Sequence, residues 1–187
     1  MIRPADFASF VDLQLDDGVT LRAVAVEDAP ALATFVTQNH NHLCRFLTDL
    51  TDEITDKAAA HRHLLEVVES RATRTLLEMH IWDGSRLCGA VRLRDLDWHN
   101  RNGKIGYLLG ASERGRGVIS RVLTVFLQWA FHTLQLQRIE LRCDPRNAPS
   151  IRVAKRLGFT YEGIARSAER RGDHYNDVMI FARLSND

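Results

Sequence analysis

Cysteine is scarce, with Cys44, Cys88 and Cys143 the only three in 187 residues. An odd number without framework spacing excludes a disulfide-stapled scaffold, and the three read as small buried hydrophobes in a reducing cytosol. An excess of one charge is missing as well. Lys and Arg number 25 against 24 Asp and Glu, a formal net charge of +1, which argues against a disordered chain and against a protein that coats nucleic acid. Nor is there a long apolar run. The most apolar stretch, 118–136, is broken by Arg121, Gln128, His132 and Gln135, so it is no bare membrane span, and Met1 to Phe10 lacks the basic start and apolar run of a secretory leader. Repeats and low-complexity tracts are absent, and turn signals are spread evenly. The expectation is one cytoplasmic domain over residues 1–187. A chain of this size buries roughly 70% of its unfolded surface, enough for a core without disulfide or metal.

What is present is clear periodicity. Val11 to Leu15 and Val19 to Val24 alternate about Asp16-Asp17-Gly18 and predict a hairpin. Glu27 to Gln38, with acids and Pro30 in its first turn, and Asp56 to Ala72 carry apolar residues at helical spacing, with a short His-rich segment between them. Period-two runs follow at Leu76 to Trp82, Arg86 to Asp95 and Lys104 to Leu109, joined by Asp83-Gly84 and by a turn ending at Asn102-Gly103, which predicts an antiparallel meander. The pattern then becomes strand, helix, strand, helix, strand. A helix over 118–134 confines its polar residues to one stripe, Arg138 to Cys143 is a strand, and Asn147 to Leu157 is a helix closed by Gly158. Thr160 to Ala165 and Tyr175 to Leu184 read as strands joined by a polar loop, Arg166 to His174. The sum is an α+β fold, a mixed, mostly antiparallel sheet flanked by helices on both faces.

The segment that carries chemistry is Arg114-Gly-Arg-Gly-Val-Ile-Ser120, between a strand and the buried helix. Its glycines let backbone amides approach an anion, the helix N-terminus adds unsatisfied N–H groups, and Arg114 and Arg116 offer donors shaped for phosphate oxygens. Spacing narrows the choice of phosphate ligand. A P-loop needs Gly-Lys-Ser/Thr, whereas Val118-Ile119 follow Gly117. A dinucleotide fold needs a third glycine where Ser120 stands, an acid at a strand end rather than Glu140 in mid-strand, and more chain than follows Cys143.

Arg114-x-x-Gly117-x-x is similar to the acetyl-coenzyme A pyrophosphate loop of the GCN5-related N-acetyltransferases, from which only Ile119 departs. The resemblance continues through Asn147-Ala-Pro-Ser150, Leu157-Gly-Phe159, Glu162-Gly163 and Asp177-Val-Met-Ile-Phe181. It is strongest to the RimJ/RimL-type ribosomal-protein branch, and within it to RimL-type serine acetyltransferases, in which the departure at Ile119 is usual. The resemblance implies acetyl-coenzyme A as cosubstrate, no metal, and cofactor contacts at Tyr107, Leu108, Leu109, Arg114, Gly115, Arg116, Gly117, Val118, Ile119, Ser120, Asn147 and Arg156. It implies acceptor contacts at His40, His42, Arg45 and Tyr175. The expected partner is a protein N-terminus or a small amine, with neither nucleic acid nor membrane, and a homodimer is left open. A coenzyme A-binding sensor without turnover is the alternative from another class.

Moving an acetyl group from a thioester to an amine needs a neutral amine, a stabilised oxyanion and a proton for the departing thiolate. Many relatives supply that proton from a tyrosine at the position of Ala154. The resemblance instead implies Ser150 as the acid and Glu169, nineteen residues further on, as the base. Both positions also read structurally, Asn147-x-x-Ser150 as a helix cap and Glu169 as a salt-bridge partner of Arg166, Arg170 and Arg171. His40 and His42 lack companions for a zinc site. Tyr175 could hydrogen-bond substrate, but the favoured reading is an anchor for its strand through its ring.

Overall fold

In the computed structural model, which describes residues 12–15 and 18–187, eight strands form in chain order. They are β1 (Leu13–Gln14), β2 (Val19–Ala23), β3 (Leu76–Asp83), β4 (Arg86–Asp97), β5 (Asn102–Leu109), β6 (Arg138–Cys143), β7 (Thr160–Arg171) and β8 (His174–Leu184). They build a single sheet in the order β1-β2-β3-β4-β5-β6-β8-β7, antiparallel everywhere except between β5 and β6. Alternation explains the layering. Leu77, Met79 and Ile81 of β3 point to one core, while Leu76 and Trp82 point to the other.

Helices α1 (Ala29–Leu43) and α3 (Lys57–Ala72) cover the second face, burying Leu32, Phe35, Val36, Leu64 and Val67 against Trp82 and Leu87. The Asp56 side chain caps α3 by accepting the Ala59 N–H at 2.8 Å. On the opposite face lies α4 (Val118–His132), with Val122, Leu123, Phe126, Leu127 and Ala130 buried, joined by α5 (Ala148–Arg156). Phe126 is fully buried, and truncating such a ring costs about 3–5 kcal/mol.

The meander, the crossover through α4 and the helices on both faces stand as the sequence predicts. Four details differ. Val11 and the turn residues Asp16 and Asp17 lie outside the described residues, and the first strand is only Leu13–Gln14. The predicted first helix runs on to Leu43, so His40 and His42 sit in its last turn rather than in a linker. A short helix, α2 (Thr48–Glu53), forms where the sequence has too few apolar residues to show a period. The predicted polar loop 166–174 is mostly strand, because β7 continues to Arg171 and only Gly172 and Asp173 turn the chain into β8.

That strand is hidden from a period-two reading by an irregularity. Ala165 pairs with Val178 and Glu169 with Asn176, so β7 carries two more residues than β8 across this stretch. Ser167 adopts the left-handed region there (φ 51°), and its N–H donates to Asp177 Oδ1 at 2.8 Å. The bulge re-aims the tip of the hairpin.

Candidate active site

β5 pairs with β4 as far as Leu109 but with β6 only from Asn102 to Ile105. Beyond Ile105 the two parallel strands part, and a gap opens between the end of β5 and the end of β6. The Gly110 N–H donates to Cys88 O on β4 at 2.8 Å. Antiparallel alternation then turns the backbone groups of Leu108 toward β4 and those of Tyr107 and Leu109 toward the gap. Unpaired amides lining a gap suit an acyl carbonyl or an amide-rich chain.

The phosphate-type loop follows. Gly115 and Gly117 both have positive φ (77° and 74°), and Gly117 is the N-cap of α4 without any side-chain cap, so the first N–H groups of that helix face outward without a side-chain acceptor. A Cβ on Gly115 would meet open space, and one on Gly117 would meet only Arg121 Nη1. These features fit a diphosphate. Arg114 is exposed beside the loop, whereas Arg116 Nη1 donates to Glu113 Oε2 at 2.6 Å. Glu113 is 2% exposed and also accepts from Arg86 at 2.6 Å and from Ser112 at 2.8 Å. Burial pushes its pKa up, but the bonds from Arg86 and Ser112 and the charges of Arg86 and Arg116 outweigh that and hold it low. Asp83, Cys88 and Glu113 come close enough together to hold a metal ion, but the Arg86 guanidinium already bonds both carboxylates, to Asp83 at 2.9 Å. Asn39 ties α1 to this region, its Oδ1 accepting the Ala111 N–H at 2.8 Å.

Across the gap, the Tyr107 hydroxyl donates to Ser150 Oγ at 3.1 Å. Burial pushes the Tyr107 pKa up to about 12, with the Ser150 bond pulling the other way. Ser150 is buried, and burial raises the pKa of the Cys143 thiol while the nearby Ser150 hydroxyl opposes the rise. The Asn147 side chain accepts the Ser150 N–H at 3.2 Å, the cap that the local spacing predicts. Arg156 reaches Ser120 across α5 and α4 at 3.4 Å.

The opposite rim is made by the β7–β8 hairpin and the link between α1 and α2. The Arg171 guanidinium donates to Arg45 O and Phe46 O, both at 2.8 Å, and to Glu169 Oε2 at 3.0 Å. It straps the hairpin tip to a segment more than 120 residues earlier. From Glu169 a polar chain leads back to β6: its register partner Asn176 accepts from Arg146 at 3.3 Å, and Arg146 pairs with buried Asp144, next to Cys143. The pKa of His42 is lowered by burial and by the charges of Arg114 and Arg45, with the nearby Leu109 backbone carbonyl opposing them. His40 is exposed on α1.

The structure therefore pairs Tyr107 with Ser150 at the gap and, separately, Arg156 with Ser120 between α5 and α4, while His42 lies near Leu109 and Arg114. Arg45 enters through its backbone carbonyl while its side chain is exposed. Tyr175 is 62% exposed opposite Arg170, so its ring does not anchor the strand as the sequence favoured. No sequence signal marked Glu113, Asn39 or the strap made by Arg171, because each works through a partner distant in the chain or through its backbone.

A glycine loop heading a buried helix, beside parted parallel strands whose amides face the opening, suits an enzyme that moves an acyl group from a diphosphate-bearing carrier to an acceptor. The chain belongs to the acetyltransferase (GNAT) domain family, whose model matches residues 19–160. It is 33% identical over 104 residues to the ribosomal-protein-serine acetyltransferase of Escherichia coli (strain K12), covering 56% of this chain and 58% of that one. Among solved structures it is similar to the acetyltransferase of Salmonella typhimurium that modifies the N-terminal serine of 50S ribosomal subunit protein L7/L12 (26% identity, TM-score 0.80, 89% of this chain and 95% of that chain). It also shares the fold of a ribosomal L7/L12 α-N-protein acetyltransferase in complex with coenzyme A (24% identity, TM-score 0.85, 93% and 98%). The RimJ/RimL-type resemblance is borne out, and the protein is an N-acetyltransferase that uses acetyl-coenzyme A. No helix among the described residues is long and apolar enough to cross a membrane.

Proposed function

We propose that this single-domain enzyme acetylates the N-terminal α-amine of a cytoplasmic protein, of the kind that its ribosomal-protein-modifying relatives act on. The carrying observation is the pair of polar centres at the two rims: Ser150 held at the strand gap, and Glu169 on the hairpin strapped to the α1–α2 link, with Asn176, Arg146 and Asp144 between them. The glycine loop and the head of α4 would bind the diphosphate, and the amides of Tyr107 and Leu109 the acyl carbonyl and its chain. Glu169 takes the proton of the incoming ammonium, and Ser150 gives one to the departing sulfur.

The acceptor chemistry favours an α-amine. At neutral pH about a tenth of an α-amino group is already uncharged, against well under a thousandth of a lysine side chain. Glu169, held in place by Arg171, then has to take only a proton that an α-amine gives up readily. A small amine is the competing acceptor. Incubating the protein with acetyl-coenzyme A and a panel of N-terminal peptides, amino acids and polyamines, and following free thiol, separates the two. Turnover confined to peptides supports the proposal, turnover confined to small amines replaces it, and cofactor binding without turnover leaves a sensor.

A further inference from the structure

Ser150 cannot serve as an acid alone. An aliphatic hydroxyl holds its proton about as tightly as water, near 15.7, whereas a thiol releases one at about 8.5, so protonating a thiolate would leave a costly alkoxide. A serine acts in this role only if a second donor delivers a proton to its oxygen as its own departs. The donor on Ser150 Oγ is the Tyr107 hydroxyl, 3.1 Å away on β5. The Asn147 side chain approaches Ser150 only as an acceptor, at its backbone N–H.

Resting on the reading of Ser150 given above, we propose that Tyr107 is its positioning residue and proton relay, donating to Ser150 Oγ while Ser150 protonates the coenzyme A sulfur. Two observations support the direction of travel. The Tyr107 hydroxyl donates to Ser150 Oγ and so occupies a lone pair of that oxygen, which leaves the Ser150 proton free to point away from Tyr107. A hydroxyl turns freely about its C–O bond, so that proton can be aimed at a sulfur in the gap. Burial also keeps Tyr107 protonated throughout the working pH range, its pKa being about 12, which narrows the acidity gap that a lone serine would face.

The step balances. The C–S bond of the tetrahedral intermediate breaks with its electron pair on sulfur, and the sulfur takes the Ser150 proton as Ser150 Oγ takes that of Tyr107. Tyr107 recovers a proton from the pool that the amine nitrogen feeds on becoming an amide. No external acid or base is consumed.

The test uses Tyr107→Phe, Ser150→Ala and the double variant, with folding and cofactor binding checked by circular dichroism and calorimetry. Each single variant is expected to lower kcat about 10- to 100-fold with acetyl-coenzyme A affinity unchanged, and the double variant to be no slower than Ser150→Ala. In mixed light and heavy water the wild type should give a curved dependence of kcat, from two protons moving together, and Tyr107→Phe a straight one. Wild-type kcat in Tyr107→Phe, or losses that multiply in the double variant, would overturn the relay while leaving Ser150 as acid. Wild-type kcat in Ser150→Ala would instead overturn the underlying reading.

Discussion

The two faces of the sheet are built on different principles. Under α4 the core is apolar throughout, with Leu123, Phe126, Leu141 and Phe181 fully or almost fully buried, and the polar groups proposed to face the cofactor come from two short stretches, 107–120 and 143–156. The face under α1 and α3 buries charge. His80 is fully buried, with Asp28 Oδ2 at 3.2 Å from one ring nitrogen and Glu78 Oε1 at 3.6 Å from the other, while Arg22 pairs with Asp28 and Arg92 with Glu78. The acceptor rim likewise depends on Arg171 reaching distant carbonyls. Local sequence assembles the cofactor side, whereas ion pairs between remote segments assemble the other.

If that contrast holds, damage to the buried charges should cost stability and spare cofactor binding. His80→Leu is expected to lose about 3–5 kcal/mol in urea unfolding, because it strips a cation from two buried carboxylates, with acetyl-coenzyme A affinity per folded molecule unchanged. Its pH dependence has a definite sign. Burial alone would lower the His80 pKa, but Asp28 and Glu78 outweigh it and raise it above 6.5, so its contribution is full below 6.5 and is lost as pH rises through the raised value. Asp28 and Glu78 are pushed up by burial, yet His80 between them, the Arg22 bonds to Asp28 and the Arg92 charge beside Glu78 hold both at about 2. Their contribution is full above the ordinary 3.8 and 4.5 and is lost as pH falls toward 2. The gap between wild type and variant should be widest at about pH 5 to 6.5 and narrow on either side.

The converse lesion is Gly117→Asp. A side chain at φ 74° is strained, and a carboxylate there repels a diphosphate where backbone should meet it, so acetyl-coenzyme A should bind about 100-fold more weakly by calorimetry. Arg171→Ala removes donors to Arg45 O, Phe46 O and Glu169, and should raise acceptor KM about tenfold with cofactor affinity unchanged. Equal loss on both substrates would mean that the two sides are not separable. The smallest effect concerns charge. Exposed Arg45, Arg166 and Arg170 near the acceptor rim should favour peptides with acidic second to sixth residues about threefold in kcat/KM at low salt, a preference that fades at high salt.

Legibility in the sequence follows the same division. The meander, the buried helix and the loop of Gly115 and Gly117 were readable because periodicity and spacing are local, and Asn147 capping Ser150 is local too. The family resemblance pointed to Ser150, Glu169 and the loop before any contact was known. It could not reveal that Arg116 bonds Glu113, since a buried carboxylate in Ala-Ser-Glu looks like any polar turn. Past Ala165 the alternation fails at the Ser167 bulge, and the six β7 residues Arg166 to Arg171 read as loop even though Glu169 among them pairs in register with Asn176. His42 reads as a linker residue because the end of α1 is polar, yet it lies in the last turn of that helix.

The most direct test of an acceptor side built for an α-amine uses one peptide that carries both a free N-terminus and an internal lysine. After incubation with acetyl-coenzyme A, fragment masses show which nitrogen bears the acetyl group. Acetylation of the N-terminal nitrogen, abolished when that terminus is blocked, is the expected result. Acetyl groups on the lysine, at a rate unaffected by blocking the terminus, would contradict it.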